Sequence, residues 1–366
     1  MRSSFISLID RRPFCRHACA LCLLLLANSI GAGAQDNAGK RLPPTREQKG
    51  GAALPRVSLT PRFIPGQTFR YEMEFETTTD TTRSGLATDP QGPSSLVVDW
   101  NATVRLEILA ADASAPGGIR LRTTYEQSAA SVRSDSFDPE ATDTSEQYKK
   151  LEGKVIEFTL DADGKVKSVA GIEGIVDSET AAKSARDWIA QLSASAGAPP
   201  GGVSVGQKWS SEQPADSLPL AGLVWRTDSE YLRNEPCHPA NPDVPATSAT
   251  SATSQHQTDS ASLPQRAMDC AVILANMNLV RPKLMRDQTP AELRTSGVQS
   301  AGKWNSTGQS LLYVSLASGM VVSVTQSGTE QMDVTLTSNH NTSLHYSGTI
   351  SSRSQVALVT ADAIAK

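Results

Sequence analysis

Aromatic residues are scarce in this chain, with seven Phe, six Tyr and five Trp making up 5% of 366 residues. Histidine is scarcer still, at five. Neither charge sign dominates: 34 basic against 38 acidic residues give a formal net charge of −4. A nucleic-acid binder would carry a basic patch or stripe, so that class is excluded. No apolar run reaches the ~20 residues that span a bilayer as a helix, and no heptad pattern is sustained, which excludes a helical membrane channel and a coiled coil. Closely spaced Cys/His clusters outside the N-terminal segment, His-Glu-x-x-His and phosphate-cradling glycine loops are all absent. Each of those absences removes a familiar catalytic or cofactor-binding class, and no cofactor is expected.

The N-terminal segment reads as an export signal over 1–34. Arg2, Arg11, Arg12 and Arg16 precede the apolar run 18–27, and Ala32-Gly33-Ala34 supplies a small-residue cleavage site. Removing its four Arg and one Asp leaves 30 basic and 37 acidic residues, a net of −7. Cys15, Cys19 and Cys22 depart with it, as does any metal or redox reading of Cys19-Ala-Leu-Cys22. The mature chain is therefore expected in the periplasm or outside the cell, without a transmembrane anchor.

Cys237 and Cys270 remain, and in an oxidising compartment they read as a disulfide across 33 residues. The alternative is two free thiols. A bridge of that loop length is worth roughly 3–4 kcal/mol in the chain-entropy description.

Residues 35–56 read as a disordered leader and 236–264 as a solvated insertion, the latter holding Ala246-Thr-Ser-Ala-Thr-Ser-Ala-Thr-Ser254. Between them β signals dominate. In Phe69-Arg-Tyr-Glu-Met-Glu-Phe75 the apolar residues alternate with charges, and 104–108 and 119–125 behave likewise. Further strands are expected at 155–160, 165–169, 224–232, 271–277, 311–316, 321–325, 332–336 and 342–350, with Asp161-Ala-Asp-Gly164 as a hairpin turn. A calcium loop at that turn fails, because Val166 and Ile172 stand where an EF-hand needs Gly and Glu. One main helix is expected near 178–193, followed by the hinge Pro199-Pro-Gly-Gly202.

The chain also echoes itself. Gly66-Gln-Thr-Phe69 matches Gly206-Gln-Lys-Trp209, and 153–169 aligns without gaps to 308–324 with six identities in 17 positions. The fold class expected is mainly β (α+β): two similar curved antiparallel sheet halves, 57–200 and 201–366, produced by internal duplication.

Gly206-Gln-Lys-Trp209 after the Pro-rich hinge, with Leu160-Asp-Ala-Asp-Gly-Lys-Val166 before a helix, resembles an uncharacterised family of exported bacterial β-rich proteins. Its layout is similar to periplasmic carriers with half-barrel folds. The resemblance implies no catalytic residues.

The functional reading leans against an enzyme. It is an exported β protein that binds a lipid or other apolar or amphipathic ligand, or an envelope protein. Phe69, Tyr71, Met73, Phe75, Trp209, Trp225 and Tyr313 are the candidates for facing that ligand, with plain core packing as their competing role. A secreted hydrolase with an unfamiliar site and a surface-interaction module are the alternatives. His340 and His345 are the only histidines outside the insertion region that could serve the hydrolase. Intact mass spectrometry of the mature protein checks the disulfide: the bridge predicts a mass two hydrogens below that of the reduced chain, and two alkylatable thiols overturn it.

Overall fold

The computed structural model describes residues 55–85, 92–109, 119–134, 145–146, 148–160, 166–175, 199, 201–215, 218–237, 269–283, 285–339 and 342–362. The export signal, most of the leader, the helix expected at 178–193, the turn at 161–164 and nearly all of the insertion lie outside these.

Eleven strands follow one another: β1 (Thr68–Gly85), β2 (Gly92–Leu109), β3 (Ile119–Ser134), β4 (Val155–Leu160), β5 (Val166–Ala170), β6 (Lys208–Pro214), β7 (Val224–Pro236), β8 (Asp269–Val280), β9 (Val298–Ser315), β10 (Val321–Ser338) and β11 (Ser343–Asp362). One short helix, α1 (Ala291–Thr295), precedes β9. The fold is mainly β, as the alternation indicates. All eleven strands join one antiparallel sheet in the order β5-β4-β3-β2-β1-β11-β10-β9-β8-β7-β6. It comprises a five-stranded meander, β1–β5, and a six-stranded one, β6–β11, joined where β11 pairs with β1. The segments expected at 321–325 and 332–336 are a single strand, because the polar residues between them keep their ladders to both β9 and β11. Backbone pairing does not require apolar side chains.

The two meanders begin alike. Gly66 and Gly206 both have positive φ, 87° and 80°, a conformation glycine adopts without steric cost. Gly66 N–H donates to Ile108 O at 2.7 Å and Ile108 N–H to Gln67 O at 2.9 Å. Gly206 N–H donates to Tyr231 O at 2.6 Å and Tyr231 N–H to Gln207 O at 3.0 Å.

Strand alternation sends one face inward. A continuous rung crosses eight strands on that face: Tyr231, Ile273, Leu312, Val324, Val356, Met73, Ala102 and Ser128. Around it both meanders contribute to one apolar core, including Phe69, Tyr71, Phe75, Trp100, Ile156 and Leu160. Each such side chain stabilises the fold by about 1.5–3 kcal/mol. A buried polar relay crosses this core: Trp100 Nε1 donates to Ser128 Oγ (2.9 Å), which donates to Tyr148 O (2.6 Å). Residues before β1 strap the halves together, through a Val57–Val203 bridge and Arg56 donating to the Gly201 and Gly202 carbonyls. A second, smaller core gathers Leu220, Leu223, Val298, Val334 and Leu336 toward the other end of β9 and β10.

Between these cores the inner face carries small residues. One rung there reads Met277, Gly308, Gly328, Ser352, Thr77 and Val98. Further along β11, Gly348 sits between Met332 and Thr81 with φ +156°, and a Cβ there would lie 2.1 Å from Asp80 O. By contrast, a Cβ on Gly153 (φ +77°) meets nothing within 4 Å. Gly348→Ala is therefore expected to lose about 3 kcal/mol or more, since strain and backbone collision add. Gly153→Ala should lose only about 1–2 kcal/mol, the cost of a left-handed alanine. Chemical denaturation of both variants checks this, and equal losses would refute the close packing at Gly348.

Candidate polar binding site

Four of the seven proposed ligand-facing residues are core. Phe69, Tyr71, Met73 and Phe75 are 6%, 1%, 2% and 5% exposed. Tyr71 Oη donates to the Val321 carbonyl at 3.1 Å, and burial raises its pKa far above the usual tyrosine range. Trp209 packs half-buried against the same core, and Trp225 against the smaller one. Tyr313 packs at the edge of the large core; burial, then its hydrogen bond to Glu235, pushes its hydroxyl pKa up. These residues are not brought together into an open apolar cleft.

Cys237 and Cys270 are joined by a disulfide, with Cα atoms 5.1 Å apart. Cys270 lies on β8 and Cys237 just past the end of β7, so the bond clips the base of the insertion to two paired strands. Nearby, Arg233 Nε lies 2.7 Å from Glu235 Oε2, and the Tyr231 hydroxyl donates to Asn234 Oδ1.

His238, His256 and His340 lie outside the described residues. His345 Nε2 is 2.8 Å from Asp333 Oδ1, with side chains 39% and 69% exposed. That pair sits on the open surface, which does not hold the fixed geometry a general base requires. Among the described residues no three His, Cys, Asp or Glu side chains gather as a metal site. No described helix is long and apolar enough to cross a membrane.

The open feature lies elsewhere, on the outer face. A concavity of about 740 Å³ spreads over β9, β10, β11 and β1, behind the inward-facing Gly308–Gly328 rung. Two outer rungs line it. One is a row of hydroxyls, Thr307, Thr329, Ser351 and Thr78, one from each strand. The other reads Gln309, Ser327, Arg353 and Glu76. Glu76 and Arg353 are direct cross-strand neighbours and both are exposed. Neither makes an ion pair or side-chain hydrogen bond among the described residues. The carboxylate on the far side of Glu76, Asp99, is taken by Arg133 at 3.0 Å.

The adjoining outer face of β1–β4 shows what pairing looks like in this sheet. Arg70 grips Glu126 through two bonds of 2.6 and 3.1 Å, with Arg105 at 3.3 Å. Glu157 receives Arg122 at 2.7 Å and Arg120 at 2.9 Å. The hydrogen bond from Arg70 holds the Glu126 carboxyl below its ordinary pKa, and those from Arg122 and Arg120 do the same for Glu157. The charges of β2–β4 are thus largely spent on one another and on Arg70, while Glu76 and Arg353 face each other unpaired among the described residues.

The concavity escaped sequence reasoning. Its signal was a run of Ser and Thr at polar-face positions beside strand glycines, dispersed over four strands from the two ends of the chain.

No family model matches the chain, and no curated protein matches it. Two solved structures show a weak likeness. One is an outer membrane channel from Pseudomonas putida F1, with 8% identity and a TM-score of 0.22 over 81% of this chain and 97% of that one. The other is DynF from the dynemicin biosynthesis pathway of Micromonospora chersina, with 7% identity and a TM-score of 0.15 over 87% and 92%. At these scores neither carries a conclusion about this chain.

The depressed carboxyls make stability pH-dependent. Their contribution is complete above the ordinary glutamate pKa of about 4.3 and is lost as pH falls through the lower folded values. Melting temperature should therefore hold from neutral pH to about 5 and fall below about 4. A Glu126→Gln, Glu157→Gln double variant should start about 1–2 kcal/mol less stable, because the pairs are partly exposed, and fall less steeply in acid. Thermal melts across pH check this; parallel profiles for the two proteins would overturn it.

Proposed function

We propose that this protein is a non-enzymatic, exported binding protein that holds a polar envelope component in the outer-face concavity of its sheet. The observation that carries the reading is the concavity itself: about 740 Å³, lined by hydroxyls and by Glu76 and Arg353, which are unpaired among the described residues. Its volume lies within the range of ordinary ligand sites, whereas its lining is far more polar than theirs. The apolar-carrier version of the reading has less support, since its β1 residues are packed inside the core. The export signal at 1–34, the periplasmic or extracellular address and the descent of the two meanders from one duplicated unit belong to the same proposal. The disulfide and the matched hydrogen bonds at Gly66 and Gly206 support them.

Ser351 is exposed and central to the lining, so Ser351→Trp fills the concavity from a position with no packing to disturb. The wild-type protein should co-sediment with an insoluble envelope fraction prepared from its host. Ser351→Trp, with an unchanged melting temperature, should stay in the supernatant. Equal sedimentation of the two proteins, or none by either, would overturn the proposal.

A further inference from the structure

We infer that the concavity is a glycan site, and that Glu76 and Arg353 together recognise the acetamido group of an N-acetylated sugar. The inference rests on the proposed binding role of the concavity and specifies its ligand. Three observations carry it.

First, the site lies on the face of β9, β10, β11 and β1, each of which is hydrogen-bonded to a neighbour on both sides. Their backbone groups are therefore spent within the sheet, and a polypeptide cannot bind here by adding a strand. Second, no large apolar side chain lines the concavity; the exposed large hydrophobics Ile64, Val155, Val205, Met285 and Val359 all lie elsewhere. A protein partner would lack the apolar anchors that dominate protein interfaces. A polyhydroxylated chain needs none, since hydroxyl, amide and charged groups supply its hydrogen bonds. Third, the hydroxyls repeat once per strand, at the inter-strand spacing of about 4.8 Å. That is close to the width of one sugar ring, so a glycan lying across the strands sets one ring over each hydroxyl.

Glu76 and Arg353 then select among sugars. A carboxylate only accepts hydrogen bonds and a guanidinium only donates. Placed directly opposite each other, with side-chain origins about 5 Å apart, they match one N–H donor beside one C=O acceptor. An acetamido group presents that combination without net charge, and the pair is itself neutral overall. A plain hydroxyl presents no such separated donor and acceptor.

Isothermal titration calorimetry of the wild-type protein with chitotetraose and with cellotetraose tests this. Chitotetraose should bind, and cellotetraose, which lacks the acetamido group, should bind at least tenfold more weakly. Glu76→Gln and Arg353→Gln should each weaken chitotetraose binding by roughly tenfold and leave the melting temperature unchanged. Absence of chitotetraose binding, equal binding of both sugars, or unaltered affinity in both variants overturns the acetamido assignment. Envelope sedimentation that remains sensitive to Ser351→Trp would then keep the broader role of the concavity. Loss of that sensitivity as well would remove both.

Discussion

The pairing of β1 with β11 is the constraint on which the rest depends. It joins the first strand of the sheet to the last along their length, from Thr68–Asp362 to Gly85–Leu344. Without it there would be two meanders, each with a bare edge and a half-covered apolar face. With it, Met73 faces Val356, Tyr71 reaches the Val321 carbonyl, and one core serves both meanders. The same ladder sets Glu76 beside Arg353, so the proposed site does not exist until the chain's two ends have met. Loop-closure entropy grows only slowly with length, so this long-range pairing is affordable at equilibrium, and its cost falls on folding rate.

The division of labour between the two faces follows from the pleat. Inward positions near the Met73 rung are large and apolar, and those near Val334 form the second core. Between the two, the rung through Gly308, Gly328 and Ser352 is nearly bare of side chains. The concavity lies directly behind that bare rung, on the side where each strand presents Ser, Thr, Gln or a charge. An apolar ligand would have to displace core residues that are 1–6% exposed. A polar one meets groups that are already turned to water.

Much of this was legible in the sequence, and what was not has a physical reason. The alternation in 69–75 placed four side chains correctly on one face, because burial on a pleated strand has a period of two. The Gly66 and Gly206 turns were visible as an echo because only glycine adopts their φ cheaply. Two cysteines outside the N-terminal segment leave one pairing. The continuity of β10 was hidden, since Gln326–Gln331 carries no apolar period, and what keeps it extended is the ladder on either side. Strand order was hidden too: nothing local in Thr68–Gly85 names Ser343–Asp362 as its neighbour. For the same reason Glu76 read as one more solvent-face acid after Glu72 and Glu74. Its distinction lies entirely in what stands opposite.

That opposition also explains how an exposed pair can serve recognition. Ser and Thr lose little rotamer freedom when a ligand orders them, far less than Lys or Arg would. They project from central strands, which are the last parts of a sheet to open. The hydroxyl rung is therefore a surface whose ordering cost has largely been met by folding. Glu76 and Arg353 are the longer, freer members of the lining, and an exposed ion pair between them would be worth at most about 1 kcal/mol. A ligand that satisfies both groups gives up almost nothing by keeping them apart. In the Arg70–Glu126 and Arg122–Glu157 pairs the guanidinium is already bound to its carboxylate by short hydrogen bonds, and a ligand would have to break them. The difference between the two regions of the outer face is thus not the charges they carry but whether those charges have already found one another.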